Sequence, residues 1–185
     1  MDKKSLNIPN LLSLLRIILI PAFISTYLTA QTQSDYSLAA SILLFSGLTD
    51  LVDGFIARRF DMVTPLGKVL DPLADKLTQA SVCVCLAIRH PHLAILLIIF
   101  IVKEVLIFCG GVHLYKKQSR IVTAEWFGKM YTAVFFIVMV GIVLLPQLSE
   151  KTLFWILGLF LILTVFVFYR YLREFMRLTK NKNNG

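Results

Sequence analysis

Six apolar runs divide the chain, at about 11–29, 37–57, 69–88, 93–114, 127–145 and 152–172. Each approaches the ~20 residues that a helix needs to cross the hydrocarbon core of a bilayer. The pattern therefore predicts six transmembrane helices joined by short connections. Six such spans consume about 120 residues, which leaves no room for a separate soluble domain, so 1–185 reads as one membrane domain. No repeat of 20–50 residues is visible, and the only low-complexity stretch is the tail, 180–185. The first run follows Lys3 and Lys4, as a signal peptide would. It is too long for a signal h-region, carries Arg16 and lacks a small-x-small cleavage pattern near Ala30, so it reads as a retained helix. Residues 5–10, which include Pro9, read as an interfacial segment before it.

The connections set the orientation. The 30–37 loop has no basic residue, and the turns at 89–92 and 146–151 have one each, Arg89 and Lys151. The alternate connections carry Lys3 and Lys4, then Arg58, Arg59 and Lys68, then Lys116, Lys117 and Arg120, and the tail adds five more. By the positive-inside rule both termini are cytoplasmic, which requires an even number of spans. Tyr27, Tyr115, Trp126, Trp155 and Tyr169 lie near run ends, as interfacial aromatics do.

Composition agrees. The chain is 57% hydrophobic and 16% charged, against about 45–50% and about 25% for a soluble domain. The formal net charge of +8 would suit nucleic acid only on a solvated basic face, and here it resolves into loop bias and a few embedded bases. Cys83, Cys85 and Cys109 all sit inside apolar runs and offer neither a disulfide framework nor a zinc pattern.

The acids are more informative. Five of the eleven fall within 26 residues: Asp50, Asp53, Asp61, Asp71 and Asp75. An ionised side chain at membrane depth costs at least about 2.5–3.5 kcal/mol, so it is a functional candidate by default. Asp50 and Asp53 are spaced i,i+3, and Asp71 and Asp75 i,i+4, so each pair shares a helix face. The short loop near 58–67 makes the two helices antiparallel neighbours whose pairs meet at the cytoplasmic end. Four converging carboxylates repel unless neutralised. Lys76 and Arg58 would do this as a structural ion-pair network. The other solution is a pair of divalent cations, Mg²⁺ or Mn²⁺, which prefer oxygen ligands and recur in two-metal sites for displacement at phosphorus. Gly54 and Ala57 permit close approach, of a ligand or of another helix, and Arg58 lies one turn beyond Gly54.

Asp50-x2-Asp53-Gly54-x2-Ala57-Arg58-x8-Gly67-x3-Asp71-x3-Asp75 matches every position of the signature of the CDP-alcohol phosphotransferase family, and Asn10-x2-Ser13-x2-Arg16 resembles its first-helix pattern with Ser in place of Thr. The resemblance implies a six-helix, homodimeric membrane enzyme. It implies Asp50, Asp53, Asp71 and Asp75 as ligands of two Mg²⁺ or Mn²⁺ ions, with Asp75 also the general base. Gly54, Arg58 and Gly67 would hold the CDP moiety, helped by Asn10 and Ser13. An acceptor alcohol would attack the β-phosphorus of CDP-diacylglycerol and release CMP at the cytoplasmic face of a bacterial-type membrane.

The embedded bases Arg16, Lys103 and Lys129 suit an acceptor that carries phosphate, although such bases also snorkel to the interface. The opening Asn7-Ile8-Pro9-Asn10 resembles the phosphatidylglycerophosphate synthases of the family, which implies glycerol 3-phosphate as acceptor. The fourth run departs from them, with Lys103-Glu104 for an Arg-Glu pair and Gly110-Gly111 where a further Arg is expected. Gly110-Gly111 and Trp126-Phe127-Gly128-Lys129 are similar to the family's cardiolipin synthases, which implies phosphatidylglycerol instead. Inositol phosphate and serine are further candidates. A different class, an ion-coupled transporter using the aspartates, fits poorly with six short spans and no repeat.

Overall fold

The computed structural model describes residues 7–95, 97–106 and 126–180, the side chains of 126–129, 171 and 174–180 excepted. Helices account for the regular structure, and no strand occurs among the described residues. They are α1 (Ile8–Thr29), α2 (Gln33–Arg59), α3 (Gly67–Arg89), a helical stretch over 97–106 called α4 here, α5 (Trp126–Leu144) and α6 (Glu150–Lys180). A single 3-10 turn, Pro91–Leu93, follows α3. Among the described residues three spans, Ile8–Thr29, Gln33–Arg59 and Glu150–Arg170, are long and apolar enough to cross a membrane, and Met130–Leu144 is a shorter apolar helix. Large apolar side chains point outward from them, among them Ile18, Leu48, Leu51, Leu159 and Ile162. The third run falls short as an apolar span because Lys68, Asp71, Asp75 and Lys76 occupy the first ten residues of α3. The fourth run leaves the described residues after 106, so Cys109, Gly110-Gly111, His113 and the basic loop 116–120 lie outside them.

Two element starts differ from the apolar pattern, each because a cap and not hydrophobicity starts the helix. Asn7 caps α1, its side chain accepting from the Asn10 amide at 3.1 Å, and Pro9 fits the first turn, where its missing N–H has no helical partner. Residues 8–10 are therefore helical and not a separate surface segment. Thr32 and Asp35 form a reciprocal capping box that starts α2 at Gln33, ahead of the apolar run.

The chain divides into two compact units, Met1–Ala94 with Phe136–Gln147, and Ile95–Phe135 with Leu148–Gly185. In the first, α1 packs against both α2 and α3. The buried stripe of α1 begins polar, at Asn10, Ser13 and Arg16, and ends aromatic, at Phe23 and Tyr27. Small residues on its partners, Ala39, Ala40 and Ser46 on α2 and Ala74 on α3, are buried and let the backbones approach. At the aromatic end Arg89 donates to the carbonyls of Tyr27 (3.1 Å), Leu28 (3.2 Å) and Ala30 (2.5 Å) and to the Tyr36 hydroxyl (2.6 Å). Its guanidinium also lies over the Tyr27 and Tyr36 rings. Tyr27 is thus interior, 2% exposed, whereas Trp155 and Tyr169 are exposed. In the second unit, Phe100, Tyr131, Phe135 and Phe160 form an aromatic cluster. Gly141 and Gly158 border open space within 4 Å.

Candidate active site

The two aspartate pairs are joined by a turn that the sequence builds in detail. After α2, Asp61 adopts a left-handed conformation (φ 51°), and the Met62 amide bonds back to the Ala57 carbonyl at 3.0 Å. This closes the helix in the manner of a Schellman cap, with Asp at the position usually given to Gly. Asn7 Nδ2 then donates to the Met62 carbonyl at 2.6 Å. Thr64 Oγ1 accepts from the Gly67 amide (3.0 Å) and from Asn10 Nδ2 (3.0 Å), so the first turn of α3 is tied to α1. A Cβ at Gly67 would stand 2.6 Å from Asn10 Oδ1 and 3.2 Å from Thr64 Oγ1, so any side chain there has to displace Asn10.

Above this turn, three of the four aspartates converge on one side chain of α1. Arg16 donates through one terminal nitrogen to Asp50 Oδ1 and through the other to Asp53 Oδ2 at 2.7 Å, and the latter nitrogen lies 3.9 Å from Asp71 Oδ1. Ser13 Oγ lies within hydrogen-bonding reach of Asp71 Oδ1 and is 3.4 Å from Asp53 Oδ2. Asp53 and Arg16 are buried, while Asp50 and Asp71 are partly open. Asp75 is held separately, accepting from Gln79 Nε2 at 2.7 Å, with Lys76 Nζ at 3.9 Å. Charge is brought to Asp50, Asp53 and Asp71 by Arg16, expected at the acceptor, while Lys76 lies beside Asp75. Arg58 is exposed, and its guanidinium lies 3.5 Å from where a Gly54 Cβ would be, in ordinary contact.

The donor set is all oxygen and anionic, which suits a hard divalent cation. In this structure the carboxylates close on a guanidinium, and among the described residues no three acidic, His or Cys side chains form a metal-ready group. Arg16 Nε is buried and without a hydrogen-bond partner, while both terminal nitrogens meet carboxylates.

The model of one protein family, described as CDP-alcohol phosphatidyltransferase, matches residues 6–169. The chain belongs to the CDP-alcohol phosphatidyltransferase family. The family match runs through both compact units and takes in every signature residue. Among similar proteins, one from Pseudomonas fluorescens named CDP-diacylglycerol--glycerol-3-phosphate 3-phosphatidyltransferase is 44% identical over 88 residues, 48% of this chain and 45% of that protein. One of the same name from Escherichia coli (strain K12) is 36% identical over 132 residues, 68% of this chain and 70% of that one. A cardiolipin synthase (CMP-forming) / mitochondrial hydrolase fusion protein from Schizosaccharomyces pombe is 40% identical over 111 residues, 60% of this chain and 18% of its own length. The chain therefore spans less than half of the first relative and a small part of the last.

In this member of the family, the structure brings Asn10, Ser13, Arg16, Asp50, Asp53, Gly67 and Asp71 together. Lys103 belongs to the second unit, where it is 7% exposed, pairs with Glu104 at 2.8 Å and lies over the Tyr131 ring at 4.4 Å. Tyr131 in turn shares a hydrogen bond with Thr164 at 3.2 Å. The side chain of Lys129 lies outside the described residues. Sequence reasoning missed Thr64 and Gln79. A Thr three residues ahead of a helix start was the available signal for Thr64, and the i,i+4 spacing from Asp75 was the signal for Gln79.

Proposed function

We propose that the protein is a phosphatidyltransferase of phospholipid biosynthesis that moves the phosphatidyl group of CDP-diacylglycerol to glycerol 3-phosphate, giving phosphatidylglycerophosphate and CMP. The observation that carries this reading is the convergence of Asp50, Asp53 and Asp71 on α1, with the family match and the printed names of two relatives in support. Six spans with both termini and the active site on the cytoplasmic side, and a homodimer, belong to the same proposal.

Asp50, Asp53, Asp71 and Asp75 would hold Mg²⁺ or Mn²⁺, two ions in all. When bound, the metal supplies positive charge that stabilises the phosphoryl oxygens in the transition state. The chain's own groups do the rest. Arg58, folded over Gly54, offers a guanidinium to a donor phosphate, and the absence of side chains at Gly54 and Gly67 leaves room for the CDP moiety beside Asn10 and Ser13. Asp75, with one oxygen held by Gln79, takes the proton of the acceptor hydroxyl. The acceptor oxygen forms the new bond to the β-phosphorus as its bond to the CMP oxygen breaks, so CMP leaves with that electron pair. Lys103 and Lys129 are assigned to the acceptor's phosphate.

The test is CMP release by the purified protein in nanodiscs, with CDP-diacylglycerol, Mg²⁺ or Mn²⁺ and a panel of acceptors, the products read by mass spectrometry. Phosphatidylglycerophosphate from glycerol 3-phosphate is expected. Cardiolipin from phosphatidylglycerol, the reading favoured by the Schizosaccharomyces pombe relative, would replace the acceptor and leave the reaction. No CMP release with any acceptor would overturn the assignment.

A further inference from the structure

The charge on Arg16 has no escape. Its side chain is 2% exposed, and its two terminal nitrogens are committed to two different carboxylates of α2. The same group lies 3.9 Å from Asp71 of α3, so one side chain of α1 ties both neighbouring helices through their acids. Its Nε is left buried with no acceptor, and an unmade hydrogen bond of that kind is tolerated only where a stronger demand fixes the head group. Here that demand is repulsion among carboxylates in a poorly solvated site. Asp50 and Asp71 keep an open side, at 47% and 37% exposure, whereas Asp53 has none.

We infer that Arg16 is a built-in counter-ion that competes with the divalent metal for Asp50 and Asp53. Its ion pairs hold α1, α2 and α3 together when metal is absent and keep metal binding loose when it is present. Two effects act in the same direction. The guanidinium occupies Asp50 Oδ1 and Asp53 Oδ2, oxygens of the carboxylates that would hold the metal, and its positive charge would repel a cation placed beside it. Lysine cannot replace it fully, because one ammonium does not bridge two carboxylates as the planar fork does. Arg16 is therefore a positioning residue. The inference rests on the proposed metal site.

The experiment measures Mn²⁺ binding by EPR of the free ion, using the full-length protein in nanodiscs after removal of metal with EDTA, with no lipid substrate present. Arg16→Gln is expected to bind Mn²⁺ at least about tenfold more tightly than the unsubstituted protein, since both occupancy and like-charge repulsion are removed. Arg16→Lys, which keeps the charge and is the variant to use if Arg16→Gln does not fold, is expected to gain about threefold, having lost only the fork. Thermal melts give a readout that a purely structural arginine would not move. Mn²⁺ should raise the Tm of either variant more than that of the unsubstituted protein. Unchanged or weaker Mn²⁺ affinity, or a Tm loss of equal size with and without Mn²⁺, overturns the inference alone. Absence of Mn²⁺ binding in the unsubstituted protein overturns it together with the metal site.

Discussion

Gly67→Ala places a methyl group where Asn10 now sits. The added Cβ would stand 2.6 Å from Asn10 Oδ1 and 3.2 Å from Thr64 Oγ1, the first well inside the 3.4–4 Å of ordinary contact. Asn10 is 2% exposed, so its carboxamide has nowhere solvated to turn. Moving it breaks the 3.0 Å bond from Asn10 Nδ2 to Thr64 Oγ1 and disturbs the 3.0 Å bond that the Gly67 amide donates to Thr64 Oγ1. A buried polar group left without its partner costs about 1–3 kcal/mol. Alanine returns up to about 1 kcal/mol through its better helix propensity, so a net loss of about 1–2 kcal/mol is expected.

For a chain of this length that loss corresponds to a fall in Tm of about 2–4 °C per kcal/mol. The same displacement moves two residues assigned to the CDP moiety, so KM for CDP-diacylglycerol should rise about tenfold, the equivalent of about 1.4 kcal/mol. A double-mutant cycle isolates the cause. With Asn10→Ala already present, the clashing oxygen is gone, and Gly67→Ala should cost less by about 1 kcal/mol, as for any pair in direct contact. CMP release against donor concentration and thermal melts measure both terms. Additive effects of the two substitutions, or an unchanged donor KM in Gly67→Ala, would refute the reasoning.

Three further substitutions separate stability from chemistry. Arg89→Ala removes three carbonyl contacts, the Tyr36 hydrogen bond and the stacking over two rings at the far end of α1; a stability loss of about 2–4 kcal/mol is expected, seen as a lower Tm with donor KM unchanged. Asp75→Asn should leave Tm nearly unaltered, since Gln79 can still donate to it, and lower kcat about 10²–10⁴-fold if Asp75 is the base; wild-type kcat would remove it from that role. Lys103→Ala should raise the acceptor KM about tenfold or more, as for loss of a charged hydrogen bond, and leave the donor KM unchanged. An unchanged acceptor KM would end that assignment.

The amino-acid sequence by itself determined the all-helical class, the apolar spans and the two aspartate pairs, because run length, charge placement and i,i+3 or i,i+4 spacing are local properties of a helical chain. It also carried the signature and hence the family. Tertiary structure decided which cation meets the aspartates. Arg58 and Lys76 are the nearer bases in sequence, yet Arg16 takes Asp50 and Asp53 across 34 and 37 residues. Thr64 reaches Asn10 across 54, and Arg89 reaches the end of α1 across about 60. Such pairings depend on which faces of α1, α2 and α3 are pressed together, and a periodic pattern states only that a face exists. The few charges in an apolar chain announced a site early; the packing of α1 against both of its partners determined what neutralises it.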